Sequence, residues 1–186
     1  MSSSPTAAPA AAIYTIEPAH SSAHFKVRHL MISNVRGEFG KVSGTVKFDP
    51  ANLADSSITA EIDVHSINTR EPDRDKHLKS PDFFDAANHP TIRFQSKKVE
   101  PDGPGEYKVT GDLTIRGTTH EIVLQVEGPT PEIKDPWGFT RRGAEGTTKI
   151  SRKEFGLSYN PVLEAGGVMV GDEIEISLAV ELVKTA

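Results

Sequence analysis

The segment "RDKHLKSPDFFDAANHP", residues 74–90, sets arginine, lysine, histidine, aspartate and a Phe-Phe pair close together. Histidines and carboxylates at such range could exchange protons as general acid and base. Spacing works against that chemistry: Asp75 and His77 are two apart, which on a helix places them on different faces. No Gly-x-Ser-x-Gly elbow supplies a nucleophile. No catalytic residue is assigned. Metal chemistry fares no better. With Cys 0 there is no thiolate ligand and no disulfide framework. His20, His24 and His29 look like a cluster, but in a strand the first two lie about 13 Å apart at ~3.3 Å per residue. Zinc–nitrogen bonds are only ~2.0 Å long, so no metal is expected. Arg28, Arg70 and Arg74, gathered at one opening, could pair with a phosphate or another polar head group.

Charge and composition remove further classes. The net charge is -5 and no basic tract occurs, so the clustered cations that neutralise nucleic-acid phosphates are missing. The start, "MSSSPTAAPAAA", has neither the charged region nor the apolar run of a secretory signal. Residues 1–12 are expected to be a disordered lead, followed by one domain over 13–186. A cytoplasmic protein is expected, and a periplasmic one only if a signal peptide has been removed. No run approaches the ~18 apolar residues of a membrane-spanning helix.

The elements that must position these side chains are mostly strands. Phe25 and Val27 alternate with Lys26 and Arg28; Val46 and Phe48 with Lys47; Ile62 and Val64 with Asp63. Ile92 and Phe94 begin a further strand. Leu113 and Ile115 continue the pattern, "RGTT" turns, and Ile122 and Leu124 alternate back. The last run, "EIEISLAVELVK", sets Ile176 and Leu178 on one face. About eight strands with short connections and no βαβ rhythm imply an antiparallel sheet. Closed into a barrel, strands of about 12 residues tilted by roughly 40° would stand about 30 Å high. Alternation alone does not say whether the inward side chains fill a core or line a lumen. Between the third and fourth strands, Pro72 and the Ser80-Pro81 pair predict two short helices, the second over "SPDFFDAA", ending before Pro90. These would turn Leu78, Phe83 and Phe84 toward the barrel.

Four ordered blocks then carry a resemblance. "YTIEPAHSSAHFKVRHLMISNVRGEFGKVSGTVKFDP", "SINTREPDRDKHLKSPDFFDAANHPTIRFQS", "YKVTGDLTIRGTTHEIVL" and "ISRKEFGLSY" resemble successive blocks of the YceI-like, polyisoprenoid-binding, lipocalin-like family, over roughly residues 13–184. The resemblance implies an all-β, eight-stranded antiparallel lipocalin-like barrel with a short helical insertion at about 72–88. It also implies a long apolar cavity for an isoprenoid or similar amphipathic lipid, no enzymatic activity, and a homodimer. Arg74, Asp75, His77, Leu78, Phe83 and Phe84 match the family's insertion pattern and are carried over as mouth and lid positions.

The expectation is a protein that sequesters or carries a long-chain isoprenoid, such as a polyprenyl phosphate or a quinone, with transient membrane contact and no catalytic cofactor. Phe25, Val27, Val46, Phe48, Ile62 and Val64 are expected to line the cavity, with Phe94, Leu113, Ile115, Leu124, Ile176 and Leu178 completing it. Leu78, Phe83 and Phe84 close it, and Arg70, Arg74 and His77 meet the head group. Two rival readings are an isoprenoid-modifying enzyme using His77 or His120 as acid-base, and a stress-related interaction module with a filled core.

Overall fold

The computed structural model describes residues 10–185. The greater part of the expected N-terminal lead lies outside these residues. Its last residue belongs to the barrel: Ala12 is buried and opens β1 (Ala12–Ile16). Period-two alternation produces the strands that follow. These are β2 (Ser22–His29), β3 (Ser33–Phe39), β4 (Val42–Phe48), β5 (Ser57–Asp63) and the two-residue β6 (Ile67–Asn68). After the helix α1 (Pro72–Lys79) come β7 (Thr91–Pro101), β8 (Glu106–Ile115) and β9 (Thr118–Glu127). The short β10 (Ile133–Lys134), β11 (Thr140–Ser151) and β12 (Val170–Lys184) complete the sheet.

All pairings are antiparallel, and eight strands close a ring in the order β1, β4, β5, β7, β8, β9, β11, β12. Closure is made by β12, the longest strand. Along one edge it pairs with β11 from Arg141↔Val183 to Ser151↔Glu173. Its other edge is shared: β1 takes Leu182–Lys184, and β2 takes Val170–Ala179. A 3-10 turn over Pro18–His20 separates those two partners. The eight-stranded barrel is therefore present, with the β2–β3 hairpin and β6 as additions on the free half of β12. Such closure removes the exposed edges that an open sheet of this size would carry.

One expected strand ends early. Val64 does not continue β5 but opens a 3-10 turn, where Asp63 accepts the His65 N–H and Val64 N–H donates to the Pro90 carbonyl at 2.9 Å. The insertion holds one helix where two were expected. In α1, Pro72 occupies the first turn, where its missing N–H is no loss, with Asp73 and Asp75 at the positive end and Lys76, His77 and Lys79 at the negative end. Ser80 stops it: its hydroxyl donates to the His77 carbonyl at 2.6 Å, and its backbone N–H bonds the same oxygen. The following "PDFF" forms turns only. Asp85 adopts a left-handed φ of 48°, so a helix cannot propagate through it.

Candidate functional site: a barrel lumen closed by the helical insertion

Inward-facing residues leave two apolar chambers inside the barrel. The first, about 160 Å³, lies under the insertion and is lined by Phe25, Val27, Ile62, Leu78, Phe83, Phe84, Phe94, Leu113, Ile115, Leu124, Ile176 and Leu178, together with neighbouring aliphatic residues. The second, about 110 Å³, takes Val46 and Phe48 with Ile16, Ile58, Val126 and Val180. Leu178 borders both. Val64 borders neither; it is buried in the core beside the insertion. A cavity of ~150 Å³ lined by Leu, Ile and Phe stays dry and accepts a benzene-sized solute. Each chamber is of that order, and the two adjoin at Leu178 along the barrel.

Glycines make room for two of the lining rings. A Cβ on Gly37 would lie 2.4 Å from the Phe25 ring, and one on Gly111 would lie 2.5 Å from the Phe94 ring. Both rings therefore occupy space that a side chain on the neighbouring strand would otherwise fill. Phe39 then joins wall to lid, with its ring 5.7 Å from Phe25 and 5.7 Å edge-on to Phe84. The lid is anchored from outside. Arg116, in the β8–β9 turn, donates from Nη1 to the Phe83 carbonyl at 2.8 Å, and Tyr159 packs edge-on to His77 and tilted against Phe83, with ring centroids 4.9 and 5.2 Å away.

The three expected head-group residues sit around this lid, and none lines a chamber. Arg74 donates through Nε to Thr69 Oγ1 and through Nη2 to the Thr69 carbonyl, each at 2.8 Å. Asp75 accepts from the same threonine's N–H and hydroxyl. The Arg-Asp pair of the motif is thus a clamp on the strand-to-helix corner. His77 meets Asp82 at 2.8 Å on the outer surface. Arg70 is exposed, with a left-handed φ of 65°. His120 approaches the Glu154 carbonyl at 2.8 Å and meets the Phe155 ring edge-on, also outside the lumen lining. Neither histidine of the enzymatic alternative faces the space where a lipid tail would lie.

Polar side chains also border the first chamber, Thr148 and the charged Arg152 among them. Thr148 and Ile150 share the inward register at the end of β11, and Arg152, the next residue in the alternation, opens the 3-10 turn Arg152–Phe155 just beyond the strand. Arg152 is only 4% exposed. Its guanidinium donates to the carbonyls of Gly171, Leu157, Tyr159 and Val170 at 2.6–3.1 Å. Burial pulls its pKa down, and the charge of Asp172 opposes that shift. Asp172 itself accepts from Ser151 Oγ and Lys153 N–H. At the far end of the lumen, Arg142 lies over the rings of Phe48 and Tyr14 at 5.5 and 5.8 Å. The buried Tyr14 donates to Glu132 at 2.7 Å, and burial foremost raises its pKa. Among the described residues, one group of potential metal ligands converges: Glu17, His20 and Glu181. It stands on the outer wall, and Arg141 already bonds Glu181. No described helix is long and apolar enough to cross a membrane.

The chain matches the sequence model of the YceI-like domain over residues 14–182. It is 43% identical over 149 residues to a UPF0312 protein of Vibrio cholerae serotype O1, covering 79% of this chain and 78% of that one. The crystal structure of Burkholderia cenocepacia BcnA superposes with a TM-score of 0.75 at 26% identity, covering 89% of this chain and 98% of that one. A polyisoprenoid binding domain from Saccharophagus degradans, implicated in plant cell wall breakdown, shares the fold with a TM-score of 0.66 at 15% identity, covering 92% and 98%.

Proposed function

The chain belongs to the YceI-like family, and from that premise we propose that it binds a long-chain isoprenoid or similar amphipathic lipid, a polyprenyl phosphate or a quinone, and carries or sequesters it. The observation that carries this reading is the pair of adjoining chambers whose lining is almost wholly aliphatic and aromatic. A core meant only for stability would close on itself at the packing density of an organic crystal. A chain of isoprene units suits a narrow apolar path, and each buried methylene contributes about 0.8 kcal/mol. The Saccharophagus degradans neighbour is described as a polyisoprenoid binding domain, and the same class of tail fits here.

The tail supplies affinity, and polar groups at the lidded end orient the head. Arg70 has no ion pair among the described residues, and Arg74 and His77 follow it in sequence on α1. The protein acts without chemistry on its ligand, as a homodimer. Light scattering checks the oligomeric state. Binding is tested by displacement of a fluorescent prenyl probe with polyprenyl phosphate, ubiquinone and a saturated fatty acid as competitors. The prenyl competitors are expected to displace the probe, and Phe84→Asp, which sets a carboxylate in the lid, to weaken it about a hundredfold or more because an unpaired buried charge is strongly disfavoured. Unchanged probe affinity in Phe84→Asp would overturn the lumen as the binding site.

A further inference from the structure

The β2–β3 hairpin ends in an unusual turn. The Ile32 N–H bonds the His29 carbonyl at 3.1 Å, and the two residues between them, Leu30 and Met31, have φ of 50° and 60°. Left-handed pairs in hairpin turns are ordinarily Asn-Gly or Asp-Gly, because larger side chains are strained there. Here the strained positions hold Leu and Met, and the tip exposes Met31 (56%) and Ile32 (76%). Strain retained at an exposed apolar turn points to a use for those side chains. Leu30 N–H bonds the Met169 carbonyl at 2.8 Å, and Val168 is paired with Val162, itself 82% exposed. Three large apolar side chains therefore crown two adjoining loops.

Position and charge say what covers them. His29 pairs with Val170, the first residue of β12, and Val170 lines the lidded chamber. The crown thus stands at the lid end of the lumen. Behind it, the outward positions of the same hairpin are Lys26, Arg28 and Arg36, with Lys26 directly opposite Arg36. Lys26 is paired with Glu175 and the neighbouring Glu173 with Lys149. Arg28 and Arg36 are left without an ion pair among the described residues. An apolar tip with unpaired cations set just behind it matches the layering of a membrane surface, where acyl chains lie beneath anionic head groups.

We propose that the β2–β3 tip, with Met31, Ile32 and Val162 inserted and Arg28 and Arg36 on the head groups, docks the lid end of the barrel on an anionic lipid bilayer for loading and release. This rests on the lipid-carrier reading and adds the surface through which it works. The test is co-sedimentation of the full chain with vesicles of phosphatidylglycerol and phosphatidylcholine, against phosphatidylcholine alone. A water-soluble geranylgeranyl probe is titrated in parallel, and light scattering gives the mass. Wild type is expected to prefer the anionic vesicles and to lose the preference at high salt. Met31→Asp with Ile32→Asp should lower the bound fraction more than tenfold, and Arg28→Glu with Arg36→Glu should do so by about fivefold or more per charge. All variants should bind the soluble probe as wild type does. A second pair, Leu30→Asn with Met31→Gly, relieves the turn strain, so it should melt higher and yet bind vesicles less. Trp137→Asp, near the opposite end of β12 where Arg141 pairs with Val183, should change nothing. Tip variants that sediment like wild type would overturn the proposal, as would a tip variant whose mass halves while vesicle binding persists, since the patch would then be a contact between two copies. Loss of soluble-probe binding by wild type would instead overturn the carrier reading beneath it.

Discussion

Leu178 is the side chain on which wall and filling differ most. It points inward from β12 and borders both chambers, so its isobutyl group meets open space on two sides. Leu178→Ala removes three carbons, a transfer loss of about 2.4 kcal/mol at ~0.8 kcal/mol each. The further penalty for leaving a new void, which carries such substitutions in close-packed cores toward 5 kcal/mol, should be small because the space beside it is already open. The expected loss in urea denaturation is therefore about 2–2.5 kcal/mol. Ile67→Ala, at a buried site that lines neither chamber, provides the contrast and should lose about 3–4 kcal/mol, within the range known for Ile→Ala. The two substitutions should also part in binding. Joining the chambers lengthens the path, so Leu178→Ala should favour a longer prenyl chain over a farnesyl one by about tenfold or more. That is ~1.4 kcal/mol, less than half of what one extra five-carbon unit offers at ~0.8 kcal/mol per carbon. Ile67→Ala should leave the preference untouched. A loss above 4 kcal/mol at Leu178 with no change in chain-length preference would refute the lumen and mark a filled core.

Further outcomes follow from the same geometry. Gly37→Ala would set a Cβ 2.4 Å from the Phe25 ring, pushing the ring into the first chamber; prenyl-probe affinity should fall at least tenfold while stability drops by about 1–3 kcal/mol, as read by probe titration beside thermal melts. Arg152→Met should destabilise by about 3–5 kcal/mol, because four backbone carbonyls lose their donor, and hydrogen exchange should rise first over residues 157–171. Burial alone would raise the Asp172 pKa, yet the bonds from Ser151 and Lys153 win and hold it below the usual carboxylate value. Its contribution to stability is thus full above the unfolded value near 3.9 and lost as pH falls through the lower folded one. The stability difference between wild type and Asp172→Asn, followed by urea denaturation, should be flat from neutral pH to about pH 5 and shrink below pH 4.

The barrel was legible because each strand buries one face, and a period of two survives wherever one face is dry. Phe25, Ile62, Leu113 and Ile176 fall inward for that reason alone. Val64 shares the pattern but not the strand, since Asp63 and Pro90 draw the chain into a turn through backbone bonds that alternation does not register. The second helix failed similarly: Ser80-Pro81 is a sound helix start, but the Ser80 hydroxyl turns back to close α1 and Asp85 takes a left-handed conformation. Arg74 and Asp75 drew attention as charges, whereas their partner is the corner residue Thr69, six or fewer positions away and invisible to spacing rules for a helix face. Arg152 continues the inward alternation of Thr148 and Ile150 one residue past the end of β11, where a pattern of apolar residues does not register a buried cation. The Leu30-Met31 turn carries no turn-forming residue type, so only its dihedral angles disclose it.

Whether the barrel carries a lipid is answered by native mass spectrometry of the protein purified without added lipid, followed by organic extraction and identification of whatever is released. The expected result is one amphipathic, isoprenoid-tailed molecule per barrel, lost from Phe84→Asp. Repeated preparations that carry no lipid, and that take up no prenyl compound when it is supplied, would contradict it.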